Sequence, residues 1–380
     1  MDLSGSPHRR FPLPFRVAGP TLILDKARAV YNMERMARKA RVQGVRFRPH
    51  FKTHQSALIG AWFRNVGVEC ITVSSITMAA YFADNGWKDI TIAFPVNLLE
   101  TQAIDELARR VDLGVLVESH ESVRFLQSSL TSHVNAWIKI DTGYGRTGIP
   151  WTRPGQIVCL SEQIERAGNL SLRGLLTHAG HSYHARSKQQ IESIHGDTVD
   201  KLQQVRQKLA SKGFHSVELS VGDTPTCSVV DDLSDVDEIR PGNFIFYDVT
   251  QLTVGACGQD DIAVAVACPV VAKHADRSEI VIYGGAVHLA KESLAMEDGT
   301  TVYGLVSRFA RDGWGPIIAD AYVSSLSQEH GVVRAGSRLF DEICVGDVLA
   351  IIPVHSCLTV NLMREYVTLD GERIETSGAA

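Results

Sequence analysis

Residues 112–117 read DLGVLV, residues 120–129 HESVRFLQSS and residues 136–141 AWIKID. The outer two stretches are short and largely apolar, as buried strands are, and the middle one reads as a helix. The same unit recurs on both sides. Upstream, Asp25 is placed to cap a helix over 26–42 with Val30, Met33, Ala37 and Ala40 on one face, and Gly44 ends it. Strands are expected at 45–48, 69–73 and 89–94, with helices at 55–65, 75–83 and 98–110. Downstream come a helix at 155–166, a strand at 171–177, a long polar helix at 186–211, and strands at 216–221 and 236–240, the last with an optional continuation through Phe244 to Phe246. Eight strands separated by helices in about 220 residues predict an α/β fold, a closed (β/α)8 TIM-like barrel. The alternative is a doubly wound open sheet, but no glycine-rich dinucleotide fingerprint follows the first strand.

Beyond about residue 255 the runs are short, apolar or alternating, and broken by Gly and Asp: 262–271, 279–283, 332–335 and 348–353. They predict a second, smaller, mainly antiparallel β-domain, to which Leu22-Ile23-Leu24 could add a strand. The expected division is a barrel over 22–255 and a β-domain over 256–375 with a contribution from 1–24. The tail 376–380 is expected to be disordered.

The chain has 380 residues, is 44% hydrophobic and 21% charged, and carries a net charge of −5. That is ordinary globular composition, and no basic stripe argues for nucleic acid. No apolar run reaches the roughly 18 residues a membrane span needs. The N-terminus is broken by Pro7, Pro12 and Pro14 and lacks a signal-peptide core. Seven scattered cysteines do not form a disulfide framework, so the cytoplasm is the expected compartment.

In such a barrel, function gathers in the loops after the strands. The first strand leads into Arg48-Pro49-His50-Phe51-Lys52-Thr53-His54. Nearby cationic or desolvating groups lower an amine's pKa, and a lysine there, between the imidazoles of His50 and His54, is suited to hold an aldehyde cofactor, pyridoxal 5'-phosphate (PLP). Later loops carry Arg146, His178, Tyr183, Gly222, Thr224, Arg240, Gly242 and Asn243. Gly222 and Thr224 suit a phosphate dianion, with Gly242 and Asn243 completing the cup and Tyr183 reaching toward it. Arg146 fits the cofactor's phenolic oxygen, the lysine, or an ion pair with Asp141. His178 fits stacking on a flat ring or a hydrogen-bonded core position. Arg240 fits a contact to the pyridine nitrogen or a surface ion pair with Glu238. In the second domain, His355 and Cys357 lie two apart on a presumed extended segment, so both point one way and could share a metal ion, Zn²⁺ before Mg²⁺ or Ca²⁺. Glu329 and His330 are candidates to assist.

Taken together, Pro49-His50-Phe51-Lys52-Thr53-His54, the Asp-Thr-Gly…Arg-Thr-Gly segment at 141–148 and His178-Ala179-Gly180-His181-Ser182-Tyr183 resemble the D-serine dehydratase and D-threonine aldolase group. So do residues 222–227, 240–248 and His355-Ser356-Cys357. The group shares the alanine-racemase-type PLP barrel, and the resemblance runs from about residue 20 to 366. It implies Lys52 as the Schiff-base lysine, His178 beside the ring, Arg146 near the lysine or ring oxygen, and Tyr183, Gly222, Thr224, Gly242 and Asn243 around the phosphate. It implies His355 and Cys357 on zinc, or another divalent metal such as Mn²⁺, and a homodimer in which the β-domain of one chain closes the barrel mouth of the other. Cys357 matches the dehydratase branch, where the aldolase branch carries aspartate. Tyr283-Gly284-Gly285-Ala286-Val287-His288-Leu289 departs from the Asp-x-Gly type of segment expected there, which leaves substrate preference open. The implied activity is dehydration of a D-3-hydroxy amino acid to a 2-keto acid and ammonia. The alternatives are retro-aldol cleavage to glycine and an aldehyde, racemisation using Tyr247 or Tyr303 as a second base, and a silent PLP-binding protein.

Overall fold

The computed structural model describes residues 13–378. Two compact units are resolved: residues 30–245 with 251–258, and residues 13–29, 246–250 and 259–378.

The first unit contains eight parallel strands: β1 (Arg46–Phe47), β2 (Cys70–Val73), β3 (Asp89–Pro95), β4 (Asp112–Val117), β5 (Val134–Asp141), β6 (Leu170–Leu176), β7 (Glu218–Val221) and β8 (Glu238–Ile239). From β2 to β8 each pairs with its sequence neighbour, β8 returns to β1, and the short strand Ile149–Pro150 pairs with β5 off this path. The remaining seam, between β1 and β2, is closed beyond β1 by a parallel bridge of His50 to Thr72. Phe51 N–H donates to Thr72 O at 2.8 Å and Thr72 N–H to Pro49 O at 3.0 Å. The result is the (β/α)8 barrel, and the segment leading to Lys52 is itself part of its closure.

Local chemistry explains why the elements begin and end where they do. The helix His120–Ser129 starts because the Ser119 hydroxyl accepts the Ser122 N–H at 3.1 Å. The β5 alternation puts Trp137, Lys139 and Asp141 on one face and Ile138 and Ile140 on the other. Trp137 is buried with Leu116 and Leu176. A Cβ at Gly174 would lie 2.7 Å from the Trp137 ring and 2.2 Å from Glu218 O, so only glycine admits that ring. Truncating such a buried aromatic costs about 3–5 kcal/mol.

The last barrel strand is shorter than expected. Pro241 ends it, lacking an N–H for the ladder, and Asn243–Ile245 form a buried 3-10 turn in place of an extension.

The second unit is mainly antiparallel. Its sheet runs Glu279–Tyr283, His330–Ala335, Ala321–Leu326, Gly304–Ala310, Val348–Pro353, Val264–His274, Thr21–Leu24, Glu365–Thr368 and Arg373–Glu375, and Val264–His274 also pairs back to Glu279–Tyr283. Thr21–Leu24 joins as expected, antiparallel to Val264–Ala267 and parallel to Glu365–Thr368. Thr376, expected in a disordered tail, is buried and its N–H donates to Arg364 O at 2.9 Å. Residues 379 and 380 of that tail lie outside the described residues. Among the described residues, no helix is long and apolar enough to cross a membrane.

Candidate active site

Lys52 lies in the turn after the seam-closing segment and its side chain is exposed. Its backbone N–H donates to His50 Nδ1 at 3.4 Å, and its carbonyl accepts from Gln55 Nε2 at 3.1 Å. Gln55 sits at φ +52, which fixes a tight turn. Two half-buried imidazoles feel the Lys52 charge. Burial, then Lys52 and Arg240, hold His50 well below the ordinary imidazole range. Burial, with Lys139 and Lys52, does the same to His178, although its Nδ1–H donates to Gly222 O at 2.6 Å. Lys52, His50, His178 and Gly222 therefore belong to one cluster, drawn from the ends of β1, β6 and β7.

The partners expected of Lys52 are not all there. His54 accepts from Ser56 N–H at 3.1 Å and stacks on Phe63, with Phe51 at 4.4 Å. It is an aromatic-core residue, so Lys52 has one imidazole beside it from this segment, not two.

The loop from β7 carries the strongest sign of an anion site. Asp223 caps the helix Thr224–Val229, accepting from Thr226 N–H at 2.8 Å and Ser182 Oγ at 2.7 Å. The Thr224 hydroxyl is buried with no hydrogen-bond partner among the described residues. A buried hydroxyl left so costs on the order of 1–3 kcal/mol unless something fills the site. Tyr183 OH accepts the Thr224 N–H at 3.3 Å, and its ring lies 6.1 Å from His178. Gly222 and Gly242 are close approaches: a Cβ would sit 2.9 Å from the Arg240 backbone at the first and 2.9 Å from Thr53 Oγ1 at the second. Asn243 is buried next to Gly242. An unfilled hydroxyl beside glycine-lined backbone, near a lysine and a ring-sized pair of side chains, fits a phosphorylated aldehyde.

Arg240 is fully buried, which removes the surface ion-pair reading. Its Nε–H donates to Ser220 Oγ at 2.6 Å and its Nη2 to Thr177 O at 2.5 Å. Burial lowers its pKa to about 10, against the pull of Glu238. Arg146 is exposed and lies 5.2 Å over the Tyr144 ring. The Asp141 carboxylate instead accepts the Gly143 and Gly145 N–H groups at 2.9 and 3.0 Å. Lys139 escaped the sequence reading. It is buried on β5, and burial, with Arg240 and Arg146, brings its pKa down to about 7 against Asp141 and Glu118. A lysine inside the apolar run Trp137-Ile138-Lys139-Ile140 was the available signal.

In the second unit, His355 and Cys357 come together, but not on a strand. His355 is the extended residue capping the helix Ser356–Met363, and Cys357 sits in its first turn. Asp248 holds the turn, accepting from Ser356 N–H at 3.0 Å. The imidazole is hydrogen-bonded to the Cys357 side chain, and its Nδ1 to Glu292 Oε2 at 2.8 Å. Burial opposes the imidazolium, but Cys357 and Glu292 outweigh it and push His355 up to about 11. An imidazole hydrogen-bonded to a cysteine side chain is a donor pair that a borderline-soft divalent cation fits. No cluster of three or more His, Cys, Asp or Glu placed to hold a metal occurs among the described residues. Glu329 lies 3.8 Å from His288, and His330 pairs with Tyr283 in the sheet; it is Glu292 that reaches His355. Glu292 had no sequence signal, lying 63 positions away.

Residues 24–249 match the family described as alanine racemase, N-terminal domain, and residues 263–369 match a putative serine dehydratase domain. The chain is 29% identical to D-threo-3-hydroxyaspartate dehydratase of Delftia sp. (strain HT23), over 90% of this chain and 91% of that one. It is 27% identical to D-serine dehydratase of Dictyostelium discoideum, over 92% and 93%. A solved structure of a D-threo-3-hydroxyaspartate dehydratase, a cysteine-to-alanine variant in the metal-free form, superposes with a TM-score of 0.89 at 25% identity, covering 96% of this chain and 98% of that one. With the barrel, the lysine turn and the downstream domain all matched, the chain belongs to the alanine-racemase-type family of PLP enzymes, in the group that joins this barrel to a serine dehydratase domain.

Proposed function

We propose that the protein is a PLP- and zinc-dependent lyase that dehydrates a D-3-hydroxy amino acid of the D-serine or D-threonine type to a 2-keto acid and ammonia. PLP supplies an electron sink at the α-carbon, and zinc supplies Lewis acidity to a departing hydroxyl. Lys52 Nζ is the amine that would carry the aldehyde and, once released, the base that takes the α-proton. His50 and His178, kept neutral, leave the cationic charge beside Lys52 to Arg146, Arg240 and Lys139. Thr224, Thr226, Tyr183 and Asn243, with the backbone at Gly222 and Gly242, would hold the phosphate. Arg240, anchored by Ser220 and Thr177, would face the pyridine nitrogen and keep it unprotonated.

The observation that carries the reading is the His355–Cys357 pair. A thiolate ligand holds zinc tightly and suits a permanent Lewis acid, where an oxygen ligand suits an exchangeable ion. The test is product analysis on D-serine, D-threonine and D-threo-3-hydroxyaspartate with and without chelator. Pyruvate, 2-oxobutyrate or oxaloacetate with ammonia, lost on chelation, is the expected result. Glycine with an aldehyde would make the enzyme an aldolase, and no turnover would leave a PLP-binding protein.

A further inference from the structure

We infer that Glu292 is the positioning residue of the metal site, orienting His355 so that one defined ring nitrogen faces the ion. This rests on the metal reading of His355 and Cys357. The Glu292 carboxylate takes the Nδ1 edge of the ring at 2.8 Å. With Nδ1–H donating there, Nε2 is the nitrogen left for the metal, and the carboxylate makes it a stronger donor.

The segment bearing Glu292 is placed for this role. It follows the short helix Ala286–Leu289, and Leu289 O accepts from Thr359 Oγ1 at 3.2 Å. Thr359 lies on the helix Ser356–Met363, which also carries Cys357. Glu292 and both ligands are thus tied to one helix. The side chains of His355 and Glu292 remain 36% and 50% exposed. An ion pair that open contributes little to folding. Stability therefore gives little reason for the contact, and orientation of a ligand gives a good one.

The experiment compares Glu292→Ala and Glu292→Gln with the wild type in the full-length protein. Zinc affinity is read by competition with a chromogenic chelator, and the melting temperature of the metal-free protein is read alongside. Glu292→Ala should weaken zinc binding about 10- to 100-fold, with the metal-free melting temperature unchanged. Glu292→Gln, whose amide oxygen still accepts the Nδ1–H, should recover most of that affinity. Unchanged affinity in Glu292→Ala would overturn the inference while leaving the metal site standing. Equal loss in both variants would overturn it in favour of direct ligation by Glu292. A wild type that binds no zinc would overturn the metal reading and this inference with it.

Discussion

The two ends of the barrel treat charge in opposite ways. Where the strands begin, each buried cation has its anion. Arg46 and Arg48 both bond Glu238 at 2.7 Å, Arg48 also pairs with Asp89, and Glu218 takes Arg46 and, at 2.7 Å, Arg173. Glu238, although buried, is held at about 2 by its two arginines. Where the strands end, like charges gather instead: Lys52, Lys139 and Arg146 all act on His178, and Arg240 and Arg146 on Lys139. Of the nearby carboxylates, Asp141 is committed to loop amides and Asp223 to a helix cap. Ser220 joins the two regimes, donating to Glu238 at 2.7 Å and accepting from Arg240. One end is a closed stabilising network. The other keeps a surplus of positive charge suited to a phosphate and an amino-acid carboxylate.

This contrast predicts that substitutions at the two ends separate activity from stability. Lys52→Ala should lower turnover by about 10⁴-fold or more, about 5.4 kcal/mol of barrel-end chemistry, with an unchanged melting temperature for the cofactor-free protein. Glu238→Gln should do the reverse. It leaves buried arginines underpaired and should cost about 3–5 kcal/mol of stability in denaturant titrations. Because Glu238 is depressed, its contribution is present above pH about 4.5 and is lost as the pH falls toward about 2.

Lys139→Met should stabilise the cofactor-free protein, by on the order of 2 kcal/mol. Lys139 binds its proton less readily folded, near 7, than unfolded, near 10.5, so wild-type stability rises with pH across that window. The gain from Lys139→Met should therefore be largest below pH 7 and shrink toward pH 10, as melting curves across that range would show. The smallest effect expected is at Thr224→Val. It should weaken PLP binding about tenfold, about 1.4 kcal/mol, without destabilising the cofactor-free protein, because the hydroxyl it removes makes no bond in the protein.

The barrel end was largely legible in the sequence because its residues follow strands whose order and direction are local properties. His50, Lys52, His178 and Gly222 needed only the βα periodicity to be brought together. His54 was misread because its two-residue spacing from Lys52 says nothing of the turn that sends it into Phe51 and Phe63. His355 and Cys357 lie together through a strand-to-helix turn and not through strand alternation. The ion-pair end, Lys139 and Glu292 depend on contacts tens to hundreds of residues apart, which no periodicity encodes.

The attachment of PLP to Lys52 is the step on which the proposed chemistry depends most directly. Borohydride reduction of the PLP-loaded protein, followed by digestion and peptide mass mapping, should place the phosphopyridoxyl group on the peptide containing Lys52 and on no other. A label on Lys139, on any other lysine, or on none would contradict it.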